Sequence, residues 1–390
     1  MSTVLFNFHD LILIITAFEC VLFTVLLGIT SPRKLKTAFF CGFLLCHALI
    51  PLHELVFWGE RFRIWMLDIS PNKFFLGSYA YFFDGLLLFL FVKSLLIKDF
   101  TIDRRSLFHL IPFAIYVLHM SYSFYALEYS EKVVSIESQQ IAYSAPHLYF
   151  EAFGRFTRLG YAIACAFIIF RYKKQLKQSY SALQHTTLLW LNVIVVSMLA
   201  LFSWDASLLT LKLYYLQIGN FNLDVLELVG TSSYHLTFIT LNLLIFLKIS
   251  AFKNISVVEE ISFNEPLATH NDDIDPALVD RLEKVMSESK IYCNAHLTLD
   301  DLADAVRIPA RKLSLIIKGR YNKNFYEFVN AYRVEEAKRL LRAPEYKYRT
   351  ILEVYLDAGF NSKSVFNTFF KNAENMTPSQ YRKLATDQPG

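Results

Sequence analysis

The sequence predicts an all-α chain in two parts, a seven-transmembrane-helix bundle followed by a compact domain of short helices. Three observations carry this. Residues 1–253 hold seven apolar runs, each of about 20 residues, the length that crosses a hydrocarbon core of about 30 Å at 1.5 Å per residue. Beyond residue 290 the apolar positions recur at helical spacing over short stretches closed by Pro, Gly or Asn. Charge is partitioned to match: 20 Lys/Arg against 15 Asp/Glu in 1–253, 2 against 9 in 254–289, and 17 against 11 in 290–390.

Composition excludes several classes. Of 390 residues, 54% are hydrophobic and 19% charged, with 36 Phe, 22 Tyr and a mean hydropathy of +0.33. Soluble domains carry about 25% charged residues, so a disordered chain, a collagen-like fibre and an ordinary soluble enzyme are all excluded. Cys20, Cys41, Cys46, Cys165 and Cys293 form no CxxC pair and no metal-ligand spacing with His. They read as small apolar packing residues.

The spans are placed near 8–29, 37–58, 75–97, 107–127, 148–170, 186–205 and 225–249. A buried helix of a soluble protein more often stops at about 10–14 residues, and seven longer runs leave no soluble core to receive them. The first run is read as a retained span, because residues 1–9 lack Lys and Arg and no A-x-A site follows. Orientation follows from loop cations. The loops after spans 1, 3 and 5 hold Arg33, Lys34, Lys36, Lys98, Arg104, Arg105, Arg171, Lys173, Lys174 and Lys177. The opposite loops hold Arg61, Arg63, Lys73, Lys132 and Lys212. Ten against five puts the N-terminus outside and, with an odd number of spans, the C-terminal domain in the cytoplasm of a multi-pass inner-membrane protein.

Inside the spans lie Glu19, Glu54, Asp84, Glu151, Arg155, Arg158 and His235. Each costs at least a few kcal/mol there unless paired or hydrated. Glu54 and Glu151 fall about 5 Å inside the external boundary, and Asp84, Arg158 and His235 about 15 Å deep. Glu151 and Arg155 share a helical face, with Arg158 three residues on. Two readings stand: an ion-pair network that fixes helix packing, or an outward-open cavity in which Glu54, Asp84, Glu151, Arg155, Arg158 and His235 bind a small-molecule signal. The spans show no internal repeat of the transporter kind, and no HExxH, GxSxG or phosphate-cradling loop occurs. No enzyme, cofactor or metal is implied.

Residues 254–289 read as an acidic linker ending in a short amphipathic helix. Asp275 and Pro276 mark its start, and Leu278, Leu282, Val285 and Met286 form one stripe. Docking on the next domain is the plain use of that stripe; pairing with its copy in a dimer is the other.

Residues 290–385 then alternate helix and turn. Leu299, Leu302, Ala303 and Val306 make one helix face, Arg307-Ile308-Pro309 breaks it, and Leu313, Ile316 and Ile317 bury one side of a second helix. That second helix shows Arg311, Lys312, Ser314 and Lys318 outward, the arrangement of a helix-turn-helix. A longer helix runs from Phe325 to Leu341, and the pattern recurs: helix Thr350–Ala358, turn Gly359-Phe360-Asn361, helix Ser362–Asn372. Val365, Phe366, Phe369 and Phe370 face inward; Lys363, Ser364, Asn367, Thr368 and Lys371 face out. Thr377-Pro378 starts a last helix ending near Arg382, before a tail at 386–390. The central helix, about 25 Å long, would set two readers about one DNA turn apart.

The segments LTLDDLADAVRIPARKLSLIIK, NFYEFVNAYRVEEAKRLL and AGFNSKSVFNTFFKNAENMTPSQYR resemble the double helix-turn-helix DNA-binding domain of AraC/XylS-type bacterial transcription regulators. The resemblance covers about a quarter of the chain. It implies that Arg311, Lys312, Ser314 and Lys318 serve the first reader and Ser362, Lys363, Ser364, Asn367 and Thr368 the second, with Lys371 and backbone amides on phosphate. Promoter DNA and RNA polymerase would be partners, and a homodimer fits the family's habit of working in pairs. Tyr355 stands where the family has a small residue, Leu315 where it often has a polar one, and Asn322 and Asn375 where Gly is common. Asn tolerates the left-handed conformation best among non-Gly residues.

The expectation is a membrane-bound one-component transcription regulator that senses an external or membrane signal. Two other readings remain: a receptor whose C-terminal module, given Tyr355 and Leu315, binds a protein partner, and a transporter with a regulatory tail.

Overall fold

The computed structural model describes residues 7–30, 35–97, 100–141, 143–182, 186–218, 223–251 and 275–387. The linker expected at 254–274 and the tail beyond 387 lie outside the described residues. The chain forms two compact units: Met1–Ile169 with Thr186–Phe263, and Phe170–His185 with Asn264–Gly390.

The first unit is built from α1 (Phe8–Thr30), α2 (Leu35–Trp58), α3 (Glu60–Ile69), α4 (Asp84–Leu96), α5 (Ile111–Met120), α6 (Tyr129–Glu137), α7 (Ala145–Ser179, through Ile169), α8 (Thr186–Ile218) and α9 (Leu223–Ala251). Among the described residues six helical stretches are long and apolar enough to cross a membrane: Phe8–Thr30, Leu35–Trp58, Pro71–Leu96, Arg104–Tyr125, Ala145–Ser179 and Leu189–Tyr215. The seventh expected span falls on α9, a helix of 29 residues whose side chains at 223–227 and 245–251 lie outside the described set. The third and fourth spans are less regular than expected. They enter as 3-10 segments, Leu76–Phe82 and Arg104–Leu110, and the fourth leaves as a π turn, Ser121–Tyr125. The short helices α3 and α6 were not foreseen.

The outside of this unit is greasy. Phe18, Phe156, Phe167, Leu189 and Val196 are exposed, while Asp84, Arg158, His47 and His235 are buried. That inverts the usual soluble partition. The sequence made the inversion necessary: helices with apolar residues on every side have no polar face to offer water.

Among the described residues the second unit holds the last turns of α7, residues 170–179, the segment 180–182 that follows them, and α10 (Pro276–Ser289), α11 (Leu299–Val306), α12 (Ala310–Tyr321), α13 (Phe325–Arg342), α14 (Ile351–Asp357), α15 (Lys363–Glu374) and α16 (Pro378–Asp387). The last of these runs five residues past the expected Arg382. Reciprocal caps start α11, α13 and α14: Thr298 with Asp301, Asn324 with Glu327 and Thr350 with Glu353. Each cap contributes about 1 kcal/mol.

Two cores share α13. Its N-terminal half, Phe325, Phe328 and Val329, packs with Leu302, Val306, Leu313 and Ile317. Its C-terminal half, Val334, Ala337 and Leu341, packs with Val354, Phe360, Phe366 and Phe370. The amphipathic stripe of α10 docks on the first core, with Val279, Leu282 and Met286 buried and Leu278 and Val285 beside them. Tyr355 is accommodated: it is buried in the second core, its ring 5.6 Å from that of Phe366.

Candidate functional site

Two polar constellations stand out, one in each unit. In the second unit, α11 and α12 are joined by residues 307–309 and α14 and α15 by 358–362. The first turn is made by Arg307, left-handed at φ 60°. The second needs Gly359, at φ 92°, because a Cβ there would meet the Tyr292 carbonyl oxygen at 2.5 Å. The second helix of each pair has 12 residues and ends on a left-handed asparagine, Asn322 at φ 50° and Asn375 at φ 55°. Thus the two helices expected to read DNA are built alike, and the tolerance of Asn for this conformation is put to use at both ends.

All ten expected contact residues lie on these two helices or their caps. Arg311, Lys312, Lys318, Lys363, Ser364, Asn367, Thr368 and Lys371 are exposed, and Ser314 and Ser362 are half-buried. Leu315 is half-buried too. The Thr368 hydroxyl donates to the Ser364 carbonyl at 2.9 Å, so it offers outward its acceptor lone pairs and its methyl group. Ser362 and Ser364 join their hydroxyls at 3.0 Å. Among the described residues none of Arg311, Lys312, Lys318, Lys363 and Lys371 forms an ion pair. Several cations elsewhere in the unit are neutralised: Lys338 bridges Glu335 and Glu374 at 3.0 and 2.8 Å, Arg339 meets Glu336 at 2.7 Å, and Arg349 meets Glu353 at 2.6 Å. Hydrogen bonds to Glu374 and Glu335 hold the Lys338 ammonium above its ordinary range. Helix α12 carries no acid and α15 only Glu374, which Lys338 engages, so the cations on the two outward faces have no acid of their own helix beside them.

The first unit carries a buried ionic cluster. Arg158 sends Nη2 and Nε to one Asp84 oxygen at 2.7 and 2.8 Å, Nη1 to Asp205 at 2.8 Å and Nη2 to the Tyr234 hydroxyl at 3.2 Å. Arg155 takes the other Asp205 oxygen at 3.0 Å. Asp84 starts α4, where its second oxygen accepts the Gly85 N–H at 2.6 Å and the helix dipole favours a carboxylate. Gly85 lets α4 and α7 meet there; a Cβ would lie 3.0 Å from the Arg158 Cα. His235 pairs with Glu54 at 2.9 Å, and the Tyr81 hydroxyl donates to the other Glu54 oxygen.

The expected i,i+4 partnership of Glu151 with Arg155 is not made. Glu151 faces His147 at 3.6 Å, and Arg155 turns to Asp205 on the neighbouring helix. Asp205 was missed because it closes the apolar run read as the sixth span; helix α8 continues well past it. Of the expected ligand set, Glu54, Glu151 and Arg155 line a cavity of about 70 Å³ with His53, Tyr81 and Lys212, whereas Asp84, Arg158 and His235 lie outside its lining. The six residues of the expected ligand set are thus divided between a buried ion-pair network and the lining of a small polar hollow.

Comparison with known proteins bears on the second unit. Residues 302–384 match the family described as a helix-turn-helix domain. The HTH-type transcriptional regulator YdeC of Bacillus subtilis is 31% identical over 104 residues, 27% of this chain and 35% of that protein. The melibiose operon regulatory protein of Escherichia coli is 32% identical over 89 residues, 23% of this chain and 28% of that protein. An HTH-type transcriptional regulator of Staphylococcus aureus is 30% identical over 103 residues, 26% of this chain and 13% of that protein. This chain spans about a third or less of the length of the curated relatives it matches. No solved structure matches it. The chain carries an AraC-type helix-turn-helix domain at its C-terminal end, and its relatives there are transcriptional regulators.

Proposed function

From that C-terminal domain we propose that the protein is a membrane-bound one-component transcription regulator, which perceives an external or membrane signal and binds promoter DNA through both helix-turn-helix motifs. One observation supports it above the rest: two like-built helices, α12 and α15, present cations without ion pairs among the described residues and short polar side chains on one scaffold, in a chain with six described helical stretches long and apolar enough to cross a bilayer. Exposed Lys and Arg supply the sequence-independent attraction to phosphate, and Asn367, Lys363 and Ser364 the donors and acceptors for base edges. Placing the C-terminal unit in the cytoplasm follows the excess of loop cations on that side. The first unit needs only differential affinity of a signal for two helix arrangements to shift the population of DNA-competent protein. The hollow lined by Glu54, Glu151 and Arg155 is the place for such a signal.

Footprinting with the purified full chain in nanodiscs tests the reading. Protection of two successive major grooves on promoter fragments is the expected result. Absence of salt-sensitive binding to any genomic fragment would refute DNA recognition, and a C-terminal reporter active only outside the cytoplasm would refute the topology.

A further inference from the structure

The second unit contains a closed socket that its own helices leave incomplete. Arg333 sits on α13 between the two cores, following Val329 of the first and preceding Val334 of the second. It is buried, and among the described residues no carboxylate pairs with it. Its Nε donates to the Tyr292 carbonyl at 2.7 Å, Nη1 to the Asn330 Oδ1 at 3.2 Å and Nη2 to the Asn294 carbonyl at 2.8 Å. The remaining two N–H groups go to a residue about 150 positions earlier in the chain: Nη1 to the Ser181 carbonyl and Nη2 to the Ser181 Oγ, both at 2.9 Å. Asn330 Nδ2 donates to the same carbonyl at 3.1 Å. Ser181 is itself fully buried; its N–H and hydroxyl donate to the Leu297 carbonyl at 3.2 and 2.6 Å, and Tyr180 bridges to Thr298 in antiparallel fashion. Lys177 lies 6.0 Å from the centre of the Tyr326 ring.

The position of this socket matters more than its size. Tyr292, whose carbonyl Arg333 holds, packs on the first core, and the Gly359 turn of the second motif presses on that same carbonyl. The Phe360 ring lies 5.9 Å from the Arg333 guanidinium. So the first core, the shared helix and the second turn converge on one arginine. Removing Ser181 strips two of its five hydrogen bonds and one of Asn330's.

We propose that the socket formed by Arg333, Asn330, Asn294 and Leu297 is a docking site for the Tyr180–Ala182 segment, and that docking fixes the two readers relative to each other, so that the segment's release lowers DNA affinity. The occupant is the stretch that directly follows α7, the helix carrying Arg155 and Arg158. A movement of α7 as a unit, with the ion pairs of Arg155 and Arg158 intact, thus has a covalent path to the socket. The docked state is the binding-competent one, because two readers grip successive grooves only when their spacing is held. This rests on the DNA-binding reading above.

The test uses the full chain in nanodiscs and a duplex selected from genomic fragments by the wild-type protein. Ser181→Pro removes the N–H and the hydroxyl and leaves the sequence of residues 275–387 unaltered. Ser181→Ala removes the hydroxyl alone and guards against misfolding. Amide exchange at 290–298 and 326–334 reports docking, and anisotropy reports affinity. The expected result is faster exchange in both segments with at least a tenfold weaker affinity for Ser181→Pro, and a smaller change of the same sign for Ser181→Ala. Unchanged exchange would show that the socket is not filled in solution and overturns the proposal. Faster exchange with unchanged affinity would overturn the coupling. If the wild-type chain selects no duplex, the DNA-binding reading and with it the coupling fail, while exchange still decides whether the segment docks.

Discussion

The sharpest consequence of the two reader helices is a separation between cations that bind and cations that hold the fold. Arg311, Lys312, Lys318, Lys363 and Lys371 are exposed and make no ion pair among the described residues. Replacing any of them by Ala removes no internal contact, so stability should change by no more than about 0.5 kcal/mol. Their whole effect should appear in binding. If each neutralises one phosphate's worth of charge, log K falls against log salt with a slope of about −4.5, or about 500-fold between 50 and 200 mM. Lys371→Ala should make that slope shallower by about 0.9 and weaken all sequences alike. Asn367→Ala should leave the slope unchanged and cost about 1–3 kcal/mol at its own base position, about 5- to 150-fold. Lys338→Ala is the control: that ammonium is engaged by Glu335 and Glu374, so its loss should lower the denaturation midpoint and leave the slope alone. Anisotropy titrations of the full chain across a salt series read all three. A slope that Lys371→Ala does not move, or that Lys338→Ala moves equally, would refute this assignment of roles.

Further outcomes follow from particular contacts. Gly359→Ala combines a left-handed backbone with a Cβ 2.5 Å from a carbonyl oxygen, and should cost more than about 2 kcal/mol of domain stability by chemical denaturation; an unchanged midpoint would contradict the geometry. Asp205→Asn takes from Arg158 and Arg155 the carboxylate they share and should cost about 3 kcal/mol, read as a lower melting temperature in detergent. Glu353, held down to about 2 by Arg349 and the Thr350 cap, contributes stability that is present above the ordinary carboxylate range. That contribution is lost as pH falls from about 4.5 through 2. Glu353→Gln should therefore flatten the acid limb of the stability curve, and an identical limb in both proteins would exclude it as a contributor.

What the sequence made visible was governed by local periodicity. Membrane-length runs, the helix starting at Thr350 and the inward ladder of α15 depend on neighbours within a turn or two. What it hid were partnerships between distant positions. The i,i+4 rule suggested Glu151 with Arg155, yet Asp205 on another helix offers a closer carboxylate. Asp205 could have been suspected as a lone acid beside Trp204 in an apolar stretch. Arg333 also left a trace: it stands at i+4 from Val329 and i−4 from Ala337, an arginine on the buried stripe of its helix. Its partner Ser181 left none, because a serine in a short polar loop has no periodicity to betray burial.

The two buried arginines show why one constellation is suited to permanence and the other to release. Arg158 faces two carboxylates, so pulling it away leaves opposite charges stranded in an apolar surround, a penalty of about 3–5 kcal/mol. Arg333 faces only carbonyls, an amide and a hydroxyl. Burial has already lowered its hold on the proton, to about 10, and it remains charged at neutral pH. Neutral acceptors can be replaced by water, so undocking Ser181 strands no opposite charge; each hydrogen bond to the guanidinium contributes about 1.5–3 kcal/mol net, and water entering the socket restores part of it. A contact of that kind can open and close within the range that a ligand's differential affinity supplies, about 1–3 kcal/mol of coupling. Opening the Arg158 cluster would ask for more than that. A signal that acts on this chain should therefore leave the Asp84–Arg158–Asp205 lattice intact and be spent on the Ser181 socket; amide exchange with and without signal would show it, with changed protection at 290–298 and 326–334 and none at 84–88. Protection lost first around Asp84 would reverse the order of the two elements and refute the division of labour drawn from their chemistry.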